Sequence, residues 1–149
     1  MDMSKIAVGT EIYKSDKFAD LWLKAACANI PQDISVIVFD NNFYGVAESK
    51  RVQDQCNSMI GFEYFRLLPN CHQNHSVEFI RQYALNIGAD IYIHLDIDCP
   101  PLKGVIEKLL QHIYDGADCV TEKAGAHAFA VKTKLSLDMS CQRLPFPGW

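Results

Sequence analysis

The chain has 149 residues, 49% of them hydrophobic and 21% charged, with a net charge of −4. That is one domain's length with enough apolar material for a core, and it excludes a disordered chain. The mild acidity gives no footprint for nucleic-acid binding, and no apolar run reaches the roughly 18 residues of a membrane span.

Residues 1–10, MDMSKIAVGT, lack the basic and apolar regions of a signal peptide, so a cytoplasmic protein is expected. Residues 5–10, KIAVGT, predict a short strand ending in Gly9 and Thr10. Ser15 or Asp16 then caps a helix whose Phe18, Leu21, Trp22, Ala25 and Ala26 share one face, and Pro31 stops it. Residues 34–39, ISVIVF, predict a second buried strand, closed by Asp40, Asn41 and Asn42. As a bare pattern that triplet is a turn, since Asn and Asp bond readily to nearby backbone.

A weaker helical pattern covers about 46–58, and FEYFRL at 62–67 predicts a third strand. After the polar loop 69–75, Ser76 is placed to cap a helix carrying Val77, Ile80, Ala84 and Ile87. Arg81 lies off that stripe, where a solvated charge is the ordinary expectation. Residues 91–95, IYIHL, have the length and β-branched or aromatic content of a buried strand, followed by Asp96-Ile97-Asp98 and then Cys99-Pro100-Pro101. The two prolines take the chain out of the sheet. Both carboxylates therefore stand at the C-terminal end of an interior strand, where open α/β sheets bind ligands. On extended backbone they would share a face roughly 6–7 Å apart and repel by about 3 kcal/mol. A divalent cation or protonation of one acid would relieve that repulsion.

Pro101 is placed to start a helix with Val105, Ile106, Leu109, Leu110 and Ile113 on one face. Strands at 117–121 and 126–132 follow, and the tail from 136 to 149 has no clear period. Six cysteines, at 27, 56, 71, 99, 119 and 141, form no Cys-x-x-Cys pair and are expected reduced and partly buried. Cys71, His72 and His75 form a cluster with no second pair to complete a zinc site. Strands alternating with helices predict an α/β domain: a mostly parallel twisted sheet with helices on both faces, spanning 1–149 as one unit. Neither a Gly-x-Gly-x-x-Gly after the first strand nor a Walker-type loop is present, so a phosphate ligand would need a metal and side chains.

From about Lys5 to Leu135 the chain resembles the GT-A fold glycosyltransferases of the family 2-like nucleotide-sugar group. The resemblance rests on VGTEIY after the first strand, VIVFDNN closing the second, an Arg on the helix before the fourth, and LDID; AHAFAVKTKL adds to it. It implies a nucleotide-diphosphate sugar as ligand, a UDP-sugar first among them, with Mn²⁺ or Mg²⁺ as cofactor. Thr10 and Glu11 would border the nucleobase and ribose pocket, and Asp40 would bond the base, with Asn41 and Asn42 nearby. Arg81 would contact the base or diphosphate. Asp96 would approach the ribose or a metal-bound water, and Asp98 would ligate the metal. The cation would stabilise the charge growing on the diphosphate as the sugar departs.

The family's acceptor half carries an acidic motif that supplies the catalytic base. Here Asp138 is the one carboxylate after Glu122, and the run 136–149 reads as an irregular remnant of that region. Asp138 and His127 are the base candidates. The expected activity is sugar transfer to an unknown acceptor, with a homo-oligomer or partner subunit able to complete the acceptor side. Two alternatives stand beside it. One is a nucleotide-sugar-binding module without turnover. The other is a haloacid dehalogenase-like phosphatase, whose Asp-x-Asp also follows a buried strand but usually near the start of the chain.

Overall fold

A computed structural model describes residues 5–13, 16–41, 46–66, 73–121 and 127–135. They form six strands and four helices: β1 (Ile6–Ile12), α1 (Asp16–Asn29), β2 (Ser35–Asp40), α2 (Val46–Asn57), β3 (Phe62–Arg66), α3 (Gln73–Asn86), β4 (Ile91–Leu95), α4 (Val105–Tyr114), β5 (Cys119–Thr121) and β6 (Ala128–Lys132). The strands make one sheet in the order β3-β2-β1-β4-β6-β5. β1 pairs in parallel with both β2 and β4, and β2 with β3. β6 is antiparallel to β4 and to β5, so β6 alone runs against the rest of the sheet.

The strand interiors are apolar because both faces of the sheet are covered. On one face Val8, Ile12, Val36, Val38, Ile91, Ile93 and Leu95 pack with Trp22 and Leu23 of α1, Val52 and Cys56 of α2, and Ile106 and Leu110 of α4. On the other, Ala7, Ile37, Phe39 and Tyr92 pack with Ile80 and Ala84 of α3. Gly9 lets α3 lie this close: a Cβ there would meet Ile80 Cγ2 at 2.5 Å and the Tyr92 ring at 2.8 Å. The α3 face of β1 and β4 therefore carries Ala7-Gly9-Glu11 and Tyr92-His94-Asp96 in alternation.

Several local expectations differ from what is observed. Ser76 does not cap α3; the helix begins at Gln73 and Ser76 is buried within it. α4 begins at Val105 behind Gly104, whose φ of 84° is left-handed, and not at Pro101. Pro101 instead lends its carbonyl to Asn29 Nδ2 at 2.9 Å, tying the turn after β4 to the end of α1. Of the described cysteines only Cys56 is fully buried, while Cys27 and Cys119 are exposed, and all are reduced thiols. Asn42, Cys71, His72, Asp138 and the tail 136–149 lie outside the described residues, as does the side chain of His75. No helix among the described residues is long and apolar enough to cross a membrane.

Candidate functional site

β1, β2 and β4 end at one edge of the sheet, where β6 begins, and most of the polar residues marked in the sequence gather there. The parallel register sets Ile12 beside Asp40, and the antiparallel one sets Leu95 beside Ala128. One residue past the assigned strands the ladder continues, with Asp96 N–H donating to the His127 carbonyl at 2.8 Å.

Asp96 is the centre of a hydrogen-bonded chain. His94 Nε2 lies 2.9 Å from its Oδ1, and His127 Nδ1 lies 2.8 Å from its Oδ2. A carboxylate accepts, so each imidazole carries its proton on the nitrogen facing Asp96. In neutral His94 this leaves Nδ1 as an acceptor for the Tyr92 hydroxyl, 2.8 Å away. Tyr92 is fully buried, and burial pushes its phenol well above the usual value, which keeps the O–H a donor. Burial would also raise the Asp96 carboxyl, but the hydrogen bonds and attraction of His94 and His127 outweigh it and hold it below the usual carboxylate value. Asp96 is therefore an anion held by two imidazoles.

Asp98 does not share that environment. β4 ends at Leu95, and the Asp96 carbonyl accepts the Cys99 N–H at 2.8 Å, closing a four-residue turn. The extended spacing expected for the two acids is replaced by this turn. Ile97 points into the core and Asp98 is exposed. Asp98, Cys99 and His127 present an oxygen, a sulfur and a nitrogen that all lie within 4.8 Å of one another, a grouping able to hold a metal ion. This donor set was missed in the sequence because Cys99 and His127 are 28 positions apart and only the reversal of β6 joins them. The visible signal was His94, a polar residue in an apolar strand two positions before Asp96.

The ends of β1 and β2 make a second cluster. Asn41 Nδ2 donates to Glu11 Oε1 at 2.7 Å and to Ser76 Oγ at 3.1 Å. Glu11 Oε2 and Thr10 Oγ1 are buried without a hydrogen-bond partner in the structure. Burial pushes the Glu11 carboxyl up, against the bonds from Asn41 and Ser76. Asp40 leaves the opposite face of the sheet, where Tyr64 O–H donates to its Oδ2 at 2.6 Å. Thus Glu11 and Asn41 are joined, and Asp40 stands across the sheet from them.

Arg81 is not a solvated charge: it is 4% exposed. Its Nε and NH2 meet the two Glu78 oxygens at 2.9 and 2.8 Å, and NH1 donates to the carbonyls of Thr133 and Leu135. It clamps the segment leaving β6 onto α3.

By sequence the chain matches no protein-family model and no curated protein. By structure it matches a mannosyltransferase from Pyrobaculum calidifontis in complex with GDP-Man and Mn²⁺, with a TM-score of 0.69 over 87% of this chain and 44% of that one, at 12% identity. It also matches S. aureus TarS 1-349 in complex with UDP-GlcNAc, with a TM-score of 0.65 over 78% of this chain and 33% of that one, at 15% identity. The chain has the GT-A glycosyltransferase fold. It spans less than half the length of these solved structures. The GT-A edge at which β1, β2 and β4 end is the one that gathers Glu11, Asp40, Asn41 and Asp96 here.

Proposed function

We propose that this domain binds a nucleotide-diphosphate sugar together with a divalent cation and serves as the donor half of a glycosyl transfer to an acceptor still to be identified. The carrying observation is the exposed Asp98 at the GT-A sheet edge, set beside an Asp96 that two histidines hold ionised. Asp98, with the Cys99 and His127 donors beside it, fits a divalent cation. When bound, the cation supplies positive charge for a diphosphate leaving group.

The chain's own residues then divide the work. Glu11 and Asn41, with the unmet capacity of Glu11 Oε2, offer donors and acceptors for a nucleoside, while Thr10 Oγ1 is unmet on the opposite face of β1. Asp40 and Tyr64 offer a second polar contact at the end of β2. Arg81 is taken up by Glu78 and by Thr133 and Leu135, which lie at the other end of the sheet from Asp96, and does not reach out to a ligand in this arrangement. His127, a base candidate from sequence, is bonded to Asp96 and grouped with Asp98, which favours a binding role over a base role. That favours, as a second reading, donor binding without turnover. The position of the Asp-x-Asp after the fourth strand of a GT-A sheet argues against the phosphatase alternative.

Isothermal titration of the chain with UDP, GDP and their sugars, with Mn²⁺ present, tests the reading. Binding weakened at least about tenfold in Asp98→Ala is expected, and no heat from any of these ligands would sink it. Sugar-nucleotide hydrolysis or transfer that disappears in Asp98→Ala would exclude the non-catalytic reading.

A further inference from the structure

We propose that Asp98, Cys99 and His127 form a mixed oxygen–sulfur–nitrogen cation site that selects a borderline divalent ion, of the zinc or cobalt class, over Mg²⁺. This deepens the donor-binding reading, which requires a cation here but leaves its ligand set and its identity open.

The three donor atoms already lie within 4.8 Å of one another. Ligand atoms around a tetrahedral zinc stand about 3.4 Å apart at its usual bond lengths, so side-chain rotations of about an ångström close the site. The sheet supplies the orientation. Asp96 takes the Nδ1 proton of His127 at 2.8 Å and also binds that residue through its own backbone N–H, also at 2.8 Å. With the proton on Nδ1, the ligating lone pair of the ring is on Nε2. Carboxylate, histidine and metal in series is the arrangement by which proteins fix a ligating imidazole and raise its basicity. Asp96 is thus a positioning residue here, and His94 and Tyr92 fix it in turn.

The donor chemistry decides the ion. Mg²⁺ requires near-octahedral oxygen ligands and sheds water reluctantly. A thiolate and an imidazole favour zinc, cobalt or iron, with Mn²⁺ weakest among the first-row divalent ions. Coordination removes the Cys99 thiol proton to solvent, so uptake releases a proton. Three protein donors leave a coordination position for an incoming oxygen, as catalytic rather than structural sites do.

The test uses the full chain, stripped with chelator and titrated with Co²⁺ alone. A thiolate-to-cobalt charge-transfer band in the near ultraviolet is expected. Cys99→Ser should abolish it, while Cys27→Ser and Cys119→Ser, at the exposed cysteines, should keep it. His127→Gln should weaken Co²⁺ binding by at least about the 10–100-fold that loss of an orienting partner costs. Circular dichroism confirms that each variant is folded, and His127→Gln carries the test if Cys99→Ser is not. Zn²⁺ should displace the cobalt, and a hundredfold excess of Mg²⁺ should not. Absence of the band, its survival in Cys99→Ser, or displacement by equimolar Mg²⁺ overturns the proposal. A cobalt band in a protein that binds neither UDP-GlcNAc nor GDP-mannose supports this site and refutes the donor reading. Sugar-nucleotide binding with Mg²⁺ and no band does the reverse.

Discussion

Glu11 and Asp96 are two carboxyls at one sheet edge whose environments push them in opposite directions. The Glu11 carboxyl is raised by burial, so its contribution to stability is full below the unfolded value near 4.3 and is lost as pH rises through the higher folded value. Glu11→Gln should remove that loss. The variant is expected to match or exceed the parent in urea midpoint at pH 8, and to lose that advantage at pH 4. Asp96 is depressed, so its contribution is present above about 3.9 and lost as pH falls through the folded value. Asp96→Asn is expected to cost about 1–3 kcal/mol at pH 7, because a buried imidazole loses its anionic partner. The same urea series carried down to pH 3 should show that difference closing. An Asp96→Asn chain as stable as the parent at neutral pH would contradict the hydrogen-bond chain drawn from Tyr92 to His127.

Elements and their joints give a different kind of test. Gly9 admits α3 to the sheet, so Gly9→Ala drives a methyl group into Ile80 and Tyr92 and should cost about 1–3 kcal/mol by overpacking. In an Ile80→Ala background, which lacks Cγ2, the further cost of Gly9→Ala should be smaller, since Ile80 Cγ2 is the nearest obstacle. Arg81 joins α3 to the residues after β6, and Arg81→Ala leaves Glu78 without its cation and two carbonyls without their donor. A loss of about 3 kcal/mol is expected, read by thermal unfolding, with faster amide exchange at Thr133 and Leu135. The elements themselves were legible in the sequence: helix periodicity and apolar runs located β1, β2, β4 and the amphipathic faces of α3 and α4, while on α1 Trp22 and Ala26 are buried as expected but Leu21 is exposed and Ala19 and Leu23 face the core instead. Their joints were less so. Ser76 looks like a cap because serine often is one, yet its hydroxyl accepts from Asn41 at the end of β2. Arg81 looks like a surface charge because an i−3 partner such as Glu78 is common on exposed helix faces and its other partners, two carbonyls more than 50 residues away, leave no trace in local pattern.

At the scale of the whole molecule, ligand and fold are linked. A ligand that binds only the folded chain at a hundred times its dissociation constant adds about 2.7 kcal/mol, or roughly 5–10 °C in Tm for a chain of this size. UDP or GDP with a divalent ion should produce such a shift, and EDTA should remove most of it. A shift unchanged by EDTA would place the diphosphate away from Asp98. The GT-A sheet was legible from four landmarks in order, because strand-end acids at fixed positions reflect a topology. The grouping of Asp98 with Cys99 and His127 was not, since Asp-x-Asp suggested two adjacent acids acting together. The turn at Asp96 to Cys99 separates them, and His127, just ahead of β6, is the residue that stands beside both.

That reversed strand has a consequence for how the site can change. β6 presents its beginning, not its end, at the ligand edge, so His127 reaches Asp96 through the hairpin partner β5 and not through a helical crossover. Side chains on a strand alternate between faces, and slipping the pairing by one residue turns every one of them over. A one-residue slip of β6 against β4 would be enough. It would exchange the imidazole beside Asp96 for a neighbour's methyl group, with LDIDC left untouched. The donors gathered at this end of the sheet therefore depend on the pairing register of a strand about thirty positions from Asp96 and Asp98, not on those two acids alone.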